Sequence, residues 1–216
     1  MPQPIGESIP SQINRCRNSD VSTALAQTGV PRRHVRNADT TDTPGRWLDA
    51  RDKLCGLIGS GCLVALIGSR GTGKTQMAVH AVTWACKGQR SCRYVKAMEI
   101  FLRIRATYTN PEQSELDAIL EFTQPQLLVI DEVQQRGETD FENLMLAFLI
   151  DKRYDDMHDT IVIGNLTPKA LTASLDPSIT DRLIETGGVM ECLWPSFRKS
   201  EGAKSGMDCR PERKLQ

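Results

Sequence analysis

The chain contains 216 residues, which is enough for one full domain with appendages. Its 27 basic side chains balance its 27 acidic ones, so the net charge indicates neither a nucleic acid nor a membrane as partner, and a local basic patch is still open. No apolar run approaches the ~18 residues that a membrane span needs. The N-terminal stretch "MPQPIGESIPSQINRC" lacks the charged start and apolar core of a secretory signal.

The cysteines indicate a reducing compartment. Seven are spread over the chain, with no C-x-x-C pair and no histidine near them. Zinc requires clustered thiolates or imidazoles, so this spacing disfavours a structural metal site. Reduced thiols in a cytoplasmic protein are the better interpretation.

The elements in chain order begin with an N-terminal arm, residues 1–45, in which one helix is predicted from the cap Asp20 to Gly29. From residue 46 onward, short apolar strands alternate with helices. Strands are predicted at 62–67, 93–97, 126–131, 160–165 and 189–194, and helices at 74–88, 98–108, 113–122, 141–154, 167–175 and 176–188. This alternation predicts a three-layer αβα domain, residues 46–198, around a mostly parallel five-stranded sheet. Residues 199–216 are polar and glycine-bearing, which predicts a flexible tail.

The stretch "GSRGTGKT", residues 68–75, satisfies the phosphate-loop pattern G-x-x-x-x-G-K-[ST]. Glycines let the backbone N–H groups surround phosphate oxygens, and the following helix adds its positive end. Lys74 is expected to reach the terminal phosphates without a packing role, and Thr75 to offer its hydroxyl to Mg²⁺. A chance match is disfavoured because a buried strand precedes the loop and a helix follows it. The predicted cofactor-binding residues are Gly68, Ser69, Arg70, Gly71, Thr72, Gly73, Lys74 and Thr75.

The stretch "LLVIDE", residues 127–132, ends an apolar strand on two acids. Asp131 is placed to hold the Mg²⁺ that Thr75 also touches, and Glu132 to orient or deprotonate an attacking water. An acidic pair that simply faces solvent is the alternative, and the phosphate loop disfavours it because bound phosphates need a metal partner. The adjacent Asp and Glu, and the absence of an N-K-x-D sequence for guanine, favour ATP over GTP.

A third apolar strand ends on Asn165, in "IVIGNLTP" at residues 161–168. Its amide can bridge the water held by Glu132 and the terminal phosphate. The alternative is an asparagine that only starts the turn before the helix cap Thr167. The order along the chain favours the functional role, since the phosphate loop, the acids and this amide all follow the carboxyl ends of strands.

Together these motifs resemble the AAA+ ATPases, and specifically the DnaC-type helicase loaders and their IstB-like relatives. The more specific matches are "GVPRR" within residues 28–35, "IDKRY" at 150–154, "DRL" at 181–183 and "SFR" at 196–198. The resemblance implies an AAA+ fold without the C-terminal helical lid of larger members. It covers roughly residues 28–198, and it implies ATP-dependent homo-oligomers.

The resemblance also assigns roles to three polar residues. It implies that Asn165 is the first sensor, that Arg198 is the second sensor arginine, and that Arg182 is an arginine finger. Family members usually carry Thr-Ser-Asn where this chain has "IGN", which keeps the asparagine. Without the resemblance, Arg182 would be interpreted as a surface charge paired with Asp181 or Glu185. With it, the guanidinium is expected to act on the phosphoryl group bound by a neighbouring subunit.

The stretch "FLRIRATY", residues 101–108, is a candidate contact with single-stranded DNA. Arg103 and Arg105 could follow phosphates, and Tyr108 could stack on a base. Loaders of this type resemble initiators in placing a helix here against DNA. An amphipathic helix with a solvated basic side is an equal alternative.

The function that the resemblance implies is ATP-dependent loading of a replicative helicase onto single-stranded DNA. A transposition helper of the IstB kind, with a transposase as partner, is the second hypothesis. The third is a nucleotide-gated DNA-binding scaffold with negligible hydrolysis. Glu132 and Arg182 argue against the third, because a protein that only binds nucleotide needs neither residue.

Overall fold

Five parallel strands form the centre of the computed structural model, which describes residues 21–36, 45–110 and 112–198. The strands are β1 (Leu63–Ile67), β2 (Cys92–Lys96), β3 (Leu127–Asp131), β4 (Asp159–Gly164) and β5 (Gly188–Glu191). Their order in the sheet is β2-β3-β4-β1-β5. Every pairing between neighbours is parallel, so the carboxyl ends of all five strands lie along one edge.

Helices cover both faces of the sheet. In chain order the described residues form α1 (Val21–Gln27), α2 (Arg32–Arg36), α3 (Gly45–Leu57), α4 (Lys74–Lys87), α5 (Ala97–Thr107), α6 (Glu115–Thr123), α7 (Asp140–Asp155), α8 (Pro168–Ser174) and α9 (Pro177–Thr186). A short 3-10 turn, Val133–Gln135, follows β3. This is the predicted three-layer αβα architecture.

Two apolar cores explain why the three central strands, β1, β3 and β4, are buried at every position. One core packs α1, α3 and α4 against one face of the sheet, with Leu54, Met77 and Val82 fully buried in it. The other packs α5 to α9 against the opposite face, with Phe101 and Leu149 at its centre. A parallel strand covered on both faces gains by burying every side chain, so period-two alternation is lost.

Several elements differ from the sequence-based expectation. Helices α2 and α3 were not predicted, and β5 ends at Glu191 instead of residue 194. The described part of the arm, residues 21–36, packs Leu25 and Val30 into the same core as α4, so it is continuous with the αβα domain. The predicted cap Asp20 and the predicted tail 199–216 lie outside the described residues. Among the helices that the structure describes, none combines the length and apolar character needed to cross a bilayer.

Two buried charges fix the amino-terminal edge of the sheet. The Asp159 carboxylate accepts hydrogen bonds from the backbone N–H groups of Gly59, Gly61 and Cys62 at 2.8, 3.0 and 3.1 Å. Arg153 is fully buried and donates to three carbonyls before β3 and to that of Asp159, and this desolvation lowers its pKa to about 9. These buried interactions anchor the amino-terminal ends of the strands. The candidate site residues lie at the opposite edge, where the strands end.

Candidate functional site

The predicted phosphate loop, residues 68–75, connects β1 to α4 as expected. Gly68, Gly71 and Gly73 have positive φ angles of 132°, 84° and 80°, a conformation that other residues adopt at a cost. A Cβ on Gly68 would lie 2.6 Å from the carbonyl oxygen of Cys192, and one on Gly71 would lie 2.0 Å from Ser196 Oγ. Glycine is therefore required here by both backbone conformation and space.

Lys74 folds back into the loop. Its Nζ donates to the carbonyl oxygens of Gly68 and Ser69 at 2.8 and 2.7 Å, and the residue is 5% exposed. Burial lowers the pKa of this amine. The expectation that Lys74 has no packing role was wrong, because the residue is buried and its ammonium group donates to two carbonyl oxygens of the loop. The Lys74 ammonium group lies inside the loop, where phosphate oxygens would bind.

Two segments from outside the loop cover it. Trp47 Nε1 on α3 donates to Gly73 O at 3.4 Å, and Trp194 Nε1 donates to Thr72 O at 2.7 Å. The backbone N–H of Phe197 donates to Gly71 O at 2.9 Å. Arg198, next along, lies with its Cγ beside Gly71, and its charge contributes to the lowered pKa of Lys74. The segment "WPSFR" thus brings Arg198 to the phosphate loop.

Thr75 and Asp131 are brought together at the carboxyl end of β3. Thr75 Oγ1 donates to Asp131 Oδ2 at 3.0 Å, and Asp131 is 6% exposed. The hydroxyl of Tyr94, from β2, donates to the same carboxylate oxygen. A carboxylate and a hydroxyl beside a phosphate loop are the hard oxygen donors that Mg²⁺ prefers. The residues therefore fit the predicted metal, which would neutralise charge on bound phosphates.

Glu132 follows Asp131 in a left-handed backbone conformation with φ 56°. A non-glycine residue adopts this conformation at some cost, and such strain is typical of functional sites. The Glu132 carboxylate does not point freely to a water site, because its Oε2 lies 2.8 Å from Lys96 Nζ at the end of β2. This hydrogen bond raises the pKa of Lys96. Glu132, the predicted base, therefore lies next to the predicted metal ligand Asp131, and its carboxylate is paired with Lys96.

Asn165 lies at the end of β4, where it borders a cleft of about 270 Å³ shared with Gly68 and Ser69. Its backbone N–H donates to Gln134 Oε1 at 3.1 Å, which links Asn165 to the turn after Glu132. A Cβ on Gly164 would lie 3.2 Å from Val133 Cγ1 and 3.4 Å from Gln134 Oε1. This close packing accounts for the glycine in "IGN".

Arg182 lies on α9, apart from the residues above. Its Nη1 is 3.0 Å from Asp151 Oδ1 of α7, and its guanidinium stacks over the Tyr154 ring at 5.1 Å. A plain surface charge was expected to pair with Asp181 or Glu185, but Arg182 pairs with Asp151 instead. Glu185 accepts a hydrogen bond from the Tyr154 hydroxyl. The contacts of Arg182 in the described chain are thus with α7 and its own helix.

The candidate DNA contacts lie on α5 and already have partners. Arg103 donates through Nε to Glu121 Oε1 at 2.9 Å, and Arg105 is 3.5 Å from Glu142 Oε1. The Tyr108 hydroxyl donates to Glu115 at 3.0 Å. These contacts agree with the alternative of a solvated amphipathic helix. All three side chains also reach the surface, so contact with DNA is still open.

Sequence reasoning missed several residues of this site. Tyr94, Lys96 and Gln134 contact Asp131, Glu132 and Asn165 respectively, and Trp47 covers the loop. No local motif marks them. Tyr94 and Lys96 are brought to the site by the pairing of β2 with β3, in which Lys96 stands opposite Asp131, and the sequence alone does not reveal that pairing.

The fold and the site define an ATP-binding protein of the AAA+ type. The sequence profile of the IstB-like ATP binding protein family matches residues 29–205. The chain therefore belongs to this family.

Curated relatives agree with this assignment. The chain is 28% identical over 141 residues to the uncharacterized protein YdaV of Escherichia coli K12, with 64% of this chain and 56% of YdaV covered. It is 24% identical over 133 residues to the replicative helicase loader DnaC of the same strain, with 61% and 54% covered. The chain thus spans about half the length of the curated relatives that it matches.

Solved structures share the fold. A crystal structure of the DnaC helicase loader superposes with a TM-score of 0.64 at 17% identity, covering 74% of this chain and 99% of that one. The replication initiator DnaA bound to AMPPCP and single-stranded DNA gives 0.63 at 16% identity, covering 84% of this chain and 58% of that one. These likenesses show that the chain shares the fold of those proteins.

Proposed function

We propose that this protein hydrolyses ATP with Mg²⁺ and couples the nucleotide state to loading of a replicative helicase onto single-stranded DNA. One observation carries the proposal of hydrolysis: Thr75, Asp131 and Glu132 lie together at the phosphate loop. Lys74 and the loop amides would bind the phosphates, Thr75 and Asp131 the metal, and Glu132 would take a proton from water. Asn165 and Arg198 would contact the terminal phosphate.

The proposed partner rests on relatives. DnaC, which the chain resembles over about half of DnaC's length, is a replicative helicase loader. The fold likeness to a DnaA chain bound to single-stranded DNA supports DNA as the second partner. Loading would be carried out in the cytoplasm by an ATP-dependent homo-oligomer, in which Arg182 of one subunit acts at the site of the next.

A transposition helper is the second candidate, and the match to the IstB-like family favours it. The same ATP site would then order subunits on duplex DNA for a transposase. Pull-down of the full chain with ATP, against a replicative helicase and against a transposase from the same host, separates the two. Retention of the transposase alone would replace the helicase in this proposal.

Hydrolysis is tested by phosphate release from ATP and Mg²⁺, with and without single-stranded DNA. Lys74→Ala should lose turnover because the cationic donor to the phosphates is absent. Lys87→Ala, at the far end of the same helix, is the matched control and should turn over normally. Because Lys74 also binds two loop carbonyls, circular dichroism must show that the variant is folded. Normal hydrolysis by folded Lys74→Ala would refute the ATP-site assignment.

The scaffold hypothesis is favoured by one contact, the ion pair between Glu132 and Lys96. If that pair persisted with ATP bound, the base would be held away from water. The same assay decides this point. ATP binding without phosphate release, in the presence of DNA and the helicase, would indicate a nucleotide-gated scaffold.

A further inference from the structure

The Tyr94 side chain contacts Asp131, whose carboxylate is predicted to bind the metal ion. Its hydroxyl donates to Asp131 Oδ2, the oxygen that also accepts from Thr75 Oγ1 at 3.0 Å. The other oxygen, Oδ1, accepts from the backbone N–H of Glu132 at 2.7 Å. Three donors, from α4, from β2 and from the residue after β3, therefore fix the orientation of one carboxylate.

The tyrosine and the carboxylate are both removed from solvent, with Tyr94 5% and Asp131 6% exposed. A phenol hydroxyl is protonated throughout the physiological range, so Tyr94 is a hydrogen-bond donor to Asp131. A buried phenol requires some partner, and a backbone carbonyl would have satisfied it. Here the partner is instead the side chain that the site requires for Mg²⁺.

The backbone of Tyr94 is also held in place by contacts with the turn after α1. β2 is an edge strand, and the backbone N–H of Tyr94 donates to Thr28 O at 2.7 Å on its outer side. Gly29, the residue after Thr28, has φ 89°, and a Cβ there would lie 2.5 Å from the carbonyl oxygen of Tyr94. The turn after α1 therefore packs directly against the backbone of β2 at Tyr94.

We propose that Tyr94 is a positioning residue that holds Asp131 in the orientation needed to bind Mg²⁺. The inference deepens the proposed ATPase function and rests on it. Thr75 can share its single hydroxyl hydrogen with Asp131 and keep its lone pairs for the metal. Tyr94, which has no such second task, supplies the donor that keeps the carboxylate in place. Groups that orient metal ligands typically change metal affinity by about 10–100-fold when removed.

The test uses the full chain and a fluorescent ATP analogue, with nucleotide binding measured as MgCl₂ is titrated. Tyr94→Phe removes the hydroxyl and keeps the ring. We expect it to raise the Mg²⁺ concentration for half-maximal binding roughly tenfold, and to leave binding without Mg²⁺ unchanged. At saturating Mg²⁺, phosphate release should return to near the wild-type rate.

Thr107→Val is the matched control, because Thr107 is buried and its hydroxyl donates only to a helical carbonyl, that of Ile104, in the described contacts. Its Mg²⁺ midpoint should match that of the wild type. In an Asp131→Asn background, adding Tyr94→Phe should produce no further shift. An unchanged midpoint for Tyr94→Phe, or an equal shift in the Asp131→Asn background, would overturn the positioning role. A wild-type protein without Mg²⁺-dependent binding would instead remove the proposed function itself.

Discussion

At the scale of single residues, the contact between Glu132 and Lys96 bears directly on the proposed hydrolysis. Their charged atoms are 2.8 Å apart, while the Lys96 side chain is 48% exposed and that of Glu132 is 29% exposed. A pair so open to water contributes about 0–1 kcal/mol. It can therefore restrain the carboxylate without locking it, and both states are accessible at low cost.

Glu132→Gln should keep ATP bound and stop turnover. The metal donors Thr75 and Asp131 survive this change, whereas water loses its base, which is worth about 10²–10⁴-fold in rate. Equilibrium binding of a fluorescent ATP analogue and phosphate release measure the two effects separately. Loss of ATP binding itself would show that the roles of Asp131 and Glu132 are misassigned.

Lys96→Met should raise basal turnover, because the Glu132 carboxylate would no longer be held by a cation. The upper limit is about fivefold, since an exposed pair is worth at most about 1 kcal/mol. Lys152→Met removes another exposed pair, the one with Asp156 at 3.1 Å, and serves as the control. Unchanged or slower hydrolysis by Lys96→Met would mean that the pair does not restrain the base.

At the scale of elements, α5 determines whether the protein touches DNA through this face. The basic tips of Arg103 and Arg105 are paired with Glu121 and Glu142, and Arg105 also lies over the Phe141 ring at 5.1 Å. Binding a phosphate backbone would require these side chains to exchange carboxylates for phosphates. The exchange is feasible because both arginines are at least one-third exposed.

Replacing Arg103 and Arg105 together with Ala should weaken binding to single strands of any sequence alike. Each lost phosphate contact lowers the slope of log affinity against log salt by about 0.7, hence by roughly 1.4 for both. Arg46 and Lys53, both exposed on α3, give a control variant with the same charge change. Equal affinity and equal slope in the α5 variant would place the DNA contact elsewhere.

At the scale of the whole molecule, Arg182 lies on a face formed by α7 and α9. The same two helices expose large apolar side chains, with Leu144, Phe148 and Ile184 at 72%, 49% and 75% exposure. Arg182 Nε is buried and has no hydrogen-bond partner among the described residues. An arginine that acts in a neighbouring subunit would exchange Asp151 for the bound phosphate.

Arg182→Ala should bind ATP almost normally and hydrolyse it poorly. Mixed with Glu132→Gln, which is also nearly inactive, it should regain activity, because some junctions join an intact Glu132 site to an intact Arg182. The mixing is done with helicase and single-stranded DNA present, and phosphate release is measured.

Two other outcomes are distinct from this rescue. A surface charge predicts near-normal hydrolysis by Arg182→Ala and a small stability change, since an exposed ion pair contributes about 0–1 kcal/mol. A role within the same subunit predicts lost hydrolysis and no rescue on mixing. Co-assembled, folded variants that fail to complement would exclude an arginine acting between subunits.

The sequence by itself determined the local parts of this protein. Short segments of the sequence predicted all five strands, four of them as apolar runs, and the glycines at 68, 71 and 73 together with Lys74 and Thr75 predicted the phosphate loop. Each of these signals is contained in a few adjacent residues. A strand buried on both faces, or a loop that needs positive φ, constrains its own residue types wherever it lies in the fold.

Only the tertiary structure decided which distant side chains share the site. Thr75 and Asp131 are 56 residues apart, Trp194 and Thr72 are 122 apart, and Tyr94 contacts Asp131 across two strands. The same alternation of strands and helices is compatible with other strand orders. The contacts depend on the order β2-β3-β4-β1-β5, and that order is selected by how the helices pack on both faces of the sheet. Packing is a property of the whole chain, and no short motif records it.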